Sequence, residues 1–159
     1  MIFQYSYETK LGSVTFVEED GTLLVISTHR TFTATVMETP FIKEAYRQFS
    51  EYLIGERKSF DLPFKLTGTD FQNRVWKALC EIPYGETRSY KQIAEAIGNP
   101  KAVRAVGMAN NRNPLLVLVP CHRVIGCNGQ LVGYAAGLEK KQFLLDLENP
   151  AFSFRYPSP

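Results

Sequence analysis

The 159-residue sequence lacks the features that would place it in a membrane, export it or give it a nucleotide cofactor. No apolar run approaches the ~20 residues that a membrane-spanning helix needs. The N-terminus, Met1–Tyr5, has neither the basic start nor the apolar core of a signal peptide. No glycine-rich nucleotide-binding motif occurs. We therefore expect a cytoplasmic protein with no membrane partner and no cofactor.

Cysteine is scarce, with three residues in the chain. An odd number of cysteines without a secretory signal favours free thiols in a reducing compartment. Cys121, His122 and Cys127 could be read as a metal site, but three ligands in this unusual spacing argue against one, and we expect no metal. We interpret Cys80, near the end of a predicted helix, as a small buried apolar residue.

The net charge is also small, +2 over the chain, but it is unevenly distributed. Residues 1–65 hold seven Lys and Arg against nine Asp and Glu, a net charge of −2, whereas residues 84–130 hold six against two, a net charge of +4. A basic surface attracts phosphate backbones. Charge asymmetry alone, however, favours an ordinary solvated surface, so a nucleic-acid partner needs support from sequence motifs.

The N-terminal third predicts a small sheet with one helix and no catalytic residues. Asp20-Gly21 is typical of a tight hairpin turn. Thr39-Pro40 predicts the start of a helix that ends near Gly55, and Ser59–Leu62 is expected to return as a further strand. The other strand-like segments are Ile2–Tyr7, Ser13–Glu19 and Thr22–Thr28.

The second half of the chain predicts mainly helices. Capping boxes at Thr69–Gln72 and Ser89–Gln92 open two of them, and Asn99-Pro100 predicts the start of a third. Two short helices joined by a turn at Gly98 are typical of a helix-turn-helix, although an ordinary helical corner has the same pattern.

These elements predict an α+β fold class. A small N-terminal domain, residues 1–65, has an antiparallel sheet and a helix. A mainly helical domain with a helix-turn-helix follows over residues 69–150, and residues 151–159 form a tail.

The stretch Pro120–Val124 places a thiol beside an imidazole, directly after the aliphatic run Leu115–Val119. A cysteine is a nucleophile as its thiolate, and a nearby histidine can take the proton. We predict that the aliphatic run is a buried strand whose end presents Cys121 at the edge of a sheet. The dipeptide alone is weak support, because adjacent residues on a strand point to opposite faces.

Several further motifs occur around this stretch in a fixed order, and together they resemble one known family. The chain is similar, from about Thr69 to Glu148, to the O6-alkylguanine-DNA alkyltransferases, also called methylated-DNA–protein-cysteine methyltransferases. The resemblance implies a DNA repair protein that transfers an alkyl group irreversibly and once per molecule. Its expected partner is the minor groove of double-stranded DNA containing O6-alkylguanine, and we expect a monomer. The motifs are Tyr84–Tyr90, Arg104–Gly107, Asn113-Pro114, Pro120–Val124, Gly133-Tyr134 and Leu144–Glu148.

The resemblance also implies catalytic roles. Cys121 would attack the alkyl carbon, His122 would accept the thiol proton through a bound water, and Glu148 would orient His122. The side chain of Asn113 would tie the turn between the DNA-binding helices and the active-site segment. Tyr90 would drive base flipping by pushing the phosphate, and its hydroxyl would reach N3 of the base.

Substrate binding is implied to depend mostly on the backbone. The carbonyls of Cys121 and Val124 would accept hydrogen bonds from the exocyclic amine of guanine. The loop Gly133–Gly137, with Tyr134 as a wall, would close the pocket, and the backbone N–H of Ala135 would donate to O6.

DNA binding is expected from the third helix. By resemblance Arg104 is the finger that fills the gap left by a flipped nucleotide, since chemistry on a duplex base requires extrusion. Small residues would let the helix approach DNA closely. The DNA-binding residues are expected to be Tyr90, Ala102, Arg104, Ala105, Arg112 and Arg123.

Two other functions fit parts of the pattern. A Cys–His hydrolase would need an oxyanion hole, for which no motif is visible. A non-catalytic binder of alkylated DNA would carry another residue, commonly Trp, at the position of Cys121.

Overall fold

The computed structural model describes residues 1–129, 131 and 134–151, so Gly133 and the predicted tail beyond Ala151 lie outside the described residues. The chain forms two compact units. The first contains Met1–Thr67 together with Pro114–Leu116, and the second contains Gly68–Asn113 and the described residues from Val117 onward.

A four-stranded sheet forms the first unit. Its order is β3-β2-β1-β4, with antiparallel pairing of β1 with β2 and of β2 with β3, and parallel pairing of β4 with β1. The hairpin predicted at Asp20-Gly21 is confirmed, and both residues have the positive φ, 51° and 75°, that a tight hairpin turn requires. The strands are β1 (Ile2–Thr9), β2 (Gly12–Glu19), β3 (Thr22–Ser27) and β4 (Thr35–Val36).

One helix, α1 (Pro40–Leu53), packs against this sheet. Thr39 caps it by accepting a hydrogen bond from the backbone N–H of Ile42, as the Thr-Pro pair predicts. Phe16 from β2 and Phe49 from α1 are fully buried and meet edge to face, with ring centroids 5.5 Å apart.

The prediction of a strand at Ser59–Leu62 is wrong, because these residues form no strand. The edge of β3 is instead covered by two short segments, each making isolated bridges. Leu23 donates to the carbonyl of Pro63 at 2.8 Å, and Ile26 donates to the carbonyl of Pro114 at 2.9 Å. Pairing on this edge therefore starts just after the predicted strand and is shared with residues from far along the chain.

The second unit is mainly helical, and the α+β fold class is confirmed. Both predicted capping boxes are present, at Thr69 and at Ser89. The third helix starts later than predicted. Asn99 lies in a turn, in which its carbonyl accepts a hydrogen bond from the N–H of Ala102. Ala102 is the residue before the helix and provides no side-chain cap. The elements are α2 (Asp70–Cys80), β5 (Arg88–Ser89), α3 (Tyr90–Ala96), α4 (Val103–Asn111), β6 (Val124–Ile125) and α5 (Leu138–Glu148).

Helices α2, α3 and α4 pack on one another, which is the helix-turn-helix region. Val75, Ile93 and Val106, one from each helix, are buried there. The indole N–H of Trp76 donates to the carbonyl of Ala109 at 2.9 Å, so the end of α4 is held to α2. No helix among the described residues is long and apolar enough to cross a membrane.

The aliphatic run Leu115–Val119 is not the continuous strand that was predicted. Its first residues pair with Ile26, and the chain then turns at Val117-Leu118. Val117 has a φ of 74°, a left-handed conformation that β-branched residues avoid and that costs about 1–3 kcal/mol. The strain lies four residues before Cys121.

Candidate active site

Cys121 is presented by two consecutive tight turns rather than by a strand end. Its N–H donates to the carbonyl of Val119 at 2.8 Å around Pro120, whose φ of −81° and ψ of 64° define an inverse γ-turn. A 3-10 turn, Cys121–Arg123, follows. Because the backbone curls here, neighbouring side chains do not alternate as they would on a strand. Cys121 is buried, with only 5% of the residue exposed.

A short parallel ladder brings Tyr90 to this turn. Strand β6 directly follows the 3-10 turn and pairs with β5, with Arg88 opposite Val124. Tyr90 is the next residue but one after Arg88 and opens α3. Burial, and then the nearby Cys121, raises the pKa of the Tyr90 hydroxyl to about 12, so Tyr90 carries its proton at neutral pH.

The surroundings of the Cys121 thiol act on its ionisation in opposite directions. Burial raises the pKa of Cys121. The nearby polar side chains of Asn113 and Tyr134 and the charge of Lys141 work against this by favouring the thiolate. Burial has the larger effect, so Cys121 is a neutral thiol at rest. Its polar and charged neighbours stabilise the thiolate once it forms.

His122 and Glu148 form a buried pair. Nε2 of His122 lies 2.8 Å from Oε2 of Glu148. Burial lowers the pKa of His122, and the bond to Glu148 only partly offsets that effect, so the imidazole is neutral at rest. With Nε2 turned to the carboxylate, the remaining ring nitrogen is the one that can accept a proton.

Three groups bind the carboxylate of Glu148: His122, Arg123 and the backbone N–H of Gly85. Arg123 donates to both carboxylate oxygens, at 2.7 and 2.9 Å, and the N–H of Gly85 donates at 3.2 Å. Burial alone would raise the pKa of Glu148, but the hydrogen bonds and charges of His122 and Arg123 hold it well below its usual value. Glu148 is therefore a carboxylate throughout the physiological pH range.

Arg123 was predicted to contact DNA, yet its guanidinium points inward. Besides Glu148 it donates to the carbonyl of Ile82 at 2.6 Å and lies over the ring of Tyr84, 5.7 Å from the centroid. The sequence gives no sign of this orientation, because a cation beside a catalytic motif in a basic region has the pattern of a phosphate contact.

Lys141 is a residue near the thiol that the sequence interpretation missed. Its side chain is fully buried, with Nζ 5.8 Å from the ring centroids of both Tyr90 and Tyr134. Burial lowers the pKa of Lys141 to about 8, and the proximity of Cys121 works against this shift. Helical spacing could have found it, because Lys141, Leu144 and Glu148 fall on one face of α5.

Comparisons with known proteins agree with this arrangement. Residues 70–150, about half of the chain, match the family model described as "6-O-methylguanine DNA methyltransferase, DNA binding domain". A Bacillus subtilis protein named "Methylated-DNA--protein-cysteine methyltransferase, constitutive" is 49% identical over an alignment of 162 positions. The alignment covers 96% of this chain and 98% of the relative. The chain belongs to the methylated-DNA–protein-cysteine methyltransferase family.

Two further relatives support membership of the methyltransferase family. A Methanosarcina barkeri protein named methylated-DNA–protein-cysteine methyltransferase is 63% identical over 108 residues, 68% of each chain. The crystal structure of Mycobacterium tuberculosis OGT in complex with DNA is 43% identical, covers 93% of each chain and superposes with a TM-score of 0.87.

The residues predicted to bind DNA lie mostly on the surface of α4 and at its ends. Arg104 and Ala105 in the first turn are exposed, Ala102 before it is half-buried, and Arg112 after it is exposed. Gly107 lies inside the same helix close to α3, since a Cβ there would be 3.9 Å from the ring of Tyr90. The helix thus presents small residues and a long cation at its start, as the methyltransferase motif implies.

The residues predicted to bind the substrate lie on two segments. Val124 is buried directly after the 3-10 turn, Tyr134 is half-buried with its hydroxyl toward Cys121, and Ala135 is exposed. Gly133, the first residue of the predicted pocket loop, lies outside the described residues. Among the described residues, no group of three or more His, Cys, Asp or Glu could hold a metal ion.

Proposed function

We propose that this chain repairs DNA by transferring the alkyl group of O6-alkylguanine to Cys121 once and irreversibly. The observation that carries the proposal is the buried Cys121 thiol, which lies among Asn113, Tyr134 and Lys141 and is followed in sequence by the His122–Glu148 pair. Hydrogen-bond donors and a cation around a thiol stabilise the anion that forms during attack, and a neutral imidazole can take the proton.

In the proposed reaction the thiolate is made on demand. The thiol proton of Cys121 passes to His122, through a water as the resemblance implies, and Glu148 stabilises the imidazolium that results. Sulfur then attacks the alkyl carbon, the bond from that carbon to O6 breaks, and its electron pair passes to the base. The base takes up one proton, so the products are an S-alkylcysteine and an unmodified guanine.

Tyr90 is the proposed proton donor to the leaving base. Its raised pKa keeps the phenol protonated at neutral pH, and the ladder of β5 with β6 holds it beside Cys121. A proton delivered to N3 neutralises the charge that develops on guanine as the bond to O6 breaks. The thioether formed at Cys121 is not readily cleaved, so the alkyl group stays on the protein and each molecule acts once.

We propose that the lesion is reached from the minor groove by flipping the damaged nucleotide out of the duplex. Extrusion costs a few kcal/mol, and an inserted side chain can replace the lost stacking. Arg104 is exposed at the start of α4, among small residues, and its planar guanidinium can stack and donate hydrogen bonds. The DNA-bound crystal structure of a relative supports DNA as the partner. The cytoplasm and the monomeric state remain predictions.

Intact mass spectrometry tests the proposal. The protein is incubated with a duplex carrying one O6-methylguanine, and we expect the mass to rise by a single methyl group located on Cys121, at one per protein. A duplex with guanine in place of the lesion and the Cys121→Ser variant serve as controls. Repeated turnover would indicate a hydrolase or another true catalyst, and lesion binding without a mass change would indicate a non-catalytic binder. Label on Cys80 or Cys127 would also contradict the proposal.

A further inference from the structure

Asn110 is a buried amide in the last turn of α4, and no role follows for it from the sequence motifs. Only 1% of the residue is exposed. Its Nδ2 donates to the backbone carbonyl of Cys121 at 3.3 Å. Its Oδ1 is buried without a hydrogen-bond partner among the described residues.

This arrangement is unfavourable for stability alone. A buried amide oxygen without a donor loses its bonds to water and gains none in return. A leucine of similar size would remove the unpaired oxygen but would leave the Cys121 carbonyl without this donor, so the two effects on stability oppose each other. The amide therefore contributes through the single bond that it makes, the bond to the nucleophile's own carbonyl.

A second amide, two residues beyond the end of the same helix, holds the other end of this turn. Nδ2 of Asn113 donates to the carbonyl of Val119 at 2.7 Å, and the N–H of Cys121 donates to that same carbonyl at 2.8 Å. Asn110 and Asn113 thus hold the carbonyls at the two ends of the γ-turn that presents the thiol. The bond from Trp76 to Ala109 fixes the end of α4, which contains Asn110 and is followed two residues later by Asn113.

We infer that Asn110 is a positioning residue, which fixes the peptide plane of Cys121 through its carbonyl and so sets the direction of Sγ for attack. The inference rests on the proposed role of Cys121 as the alkyl acceptor. Loss of the bond frees the carbonyl end of the turn, while the contact between Asn113 and Val119 remains. Small errors in the approach of a nucleophile slow a transfer reaction, whereas DNA affinity, which phosphate contacts dominate, should change little.

Single-turnover kinetics with Asn110→Leu provide the first test, beside DNA affinity and thermal melting. We expect the transfer rate at saturating methylated duplex to fall about 3- to 10-fold, the effect of one neutral hydrogen bond. DNA affinity should stay within about twofold, and the Tm should change little, because the unpaired oxygen and the bond to Cys121 are removed together. Asn111→Leu, at the exposed neighbouring position of α4, is the matched control and should keep the wild-type rate. Asn110→Ser, which is smaller, replaces Asn110→Leu if the latter does not fold.

A carbonyl NMR signal provides the second test and needs no substrate. Cys121-His122 is the only Cys-His pair in the sequence, so a protein labelled with ¹³C-carbonyl cysteine and ¹⁵N histidine gives one cross-peak in an HNCO spectrum. The Cys121 carbonyl should shift upfield in Asn110→Leu, because a hydrogen bond is lost, and should stay in place in Asn111→Leu.

The two tests separate failure of the inference from failure of the proposed function. A wild-type protein that accepts no methyl group would contradict the function, while the carbonyl signal would still decide whether Asn110 holds Cys121. An unmoved carbonyl, a wild-type transfer rate, or a Tm that falls together with the rate would each overturn the inference, and the last would leave Asn110 with a structural role only.

Discussion

Arg123 holds the carboxylate of Glu148 with two hydrogen bonds, 2.7 Å from Nε to Oε1 and 2.9 Å from Nη2 to Oε2. A two-point contact of this kind fixes the plane of the carboxylate as well as its position. Oε2 therefore also meets Nε2 of His122 at 2.8 Å. The residue after the proposed base thus orients the group that orients the base.

Arg123→Lys should slow alkyl transfer about tenfold while leaving DNA binding unchanged. Lysine keeps the charge but cannot make the paired contact with Glu148, so the carboxylate loses its fixed plane. Single-turnover kinetics measure the rate, and DNA affinity is measured against salt concentration. If Arg123 contacted a phosphate, the slope of log K against log salt would become shallower by about 0.9. Arg112→Ala, at the exposed end of α4, is the comparison in which that change is expected.

Glu148→Gln should slow transfer at least tenfold, because an amide cannot stabilise the imidazolium of His122, and general-base assistance is typically worth about 10²–10⁴-fold. The helix dipole alone predicts a slightly more stable variant, since Glu148 ends α5. The buried contact with Arg123 reverses that expectation. Leaving the guanidinium without its partner should cost about 3–5 kcal/mol. An unchanged transfer rate would show that Glu148 has a structural role only.

The stability that Glu148 contributes should depend on pH. Its pKa is lowered in the folded state, so its contribution is fully present above the unfolded value of ~4.3 and is lost as the pH falls through the folded value. Denaturant unfolding of the wild-type protein and of Glu148→Gln should therefore differ most near pH 7 and converge in acid. A constant difference down to pH 3 would contradict this assignment.

Lys141→Met should make the thiol less reactive and the protein no less stable. Without the cation, the Cys121 thiolate loses a stabilising charge, so the midpoint of iodoacetamide labelling should move to higher pH. The pKa of Lys141 is about 8, below the unfolded value of ~10.4, so wild-type stability should rise between pH 8 and 10 as the buried cation is neutralised. That rise should be absent in Lys141→Met and present in Lys140→Met, the neighbouring control. Identical labelling profiles for the wild-type protein and Lys141→Met would show that Lys141 does not stabilise the Cys121 thiolate.

Arg104→Ala should separate flipping from chemistry. Repair of an O6-methylguanine duplex should slow at least tenfold, because the extruded state loses its support and extrusion costs a few kcal/mol. Reaction with the free O6-alkylguanine base should change little, since nothing has to be flipped. Rates at saturating substrate make the comparison independent of affinity. Equal losses on both substrates would show that Arg104 acts structurally.

The sequence predicts those parts of the fold that depend on local chemistry. The capping boxes at Thr69 and Ser89 and the hairpin at Asp20-Gly21 need only side chains and turn residues close in the chain, and each is present. His122 and Glu148, expected as partners from the family resemblance, lie in contact.

Features set by distant packing could not be predicted in this way. Five aliphatic residues in a row favour a strand, yet Val117 turns the chain with a φ that its own branched side chain disfavours. Hydrogen bonds to Ile26 and from Asn113, on either side of the turn, fix this conformation. The inward guanidinium of Arg123 and the burial of Lys141 also depend on neighbours that are distant in sequence, Glu148 for the first and Tyr90 for the second.

The pairing of Pro114–Leu116 with β3 has a consequence for biosynthesis. The backbone of Ile26 forms hydrogen bonds with Pro114, 88 residues downstream, and with Leu116, 90 residues downstream. The ribosome makes about 5–20 residues per second, so the part of the β3 edge at Ile26 stays open for several seconds after β3 has emerged. During that time its unpaired backbone can meet other nascent chains. A chaperone that shields exposed strand edges should improve the yield of the protein more than one that acts after release.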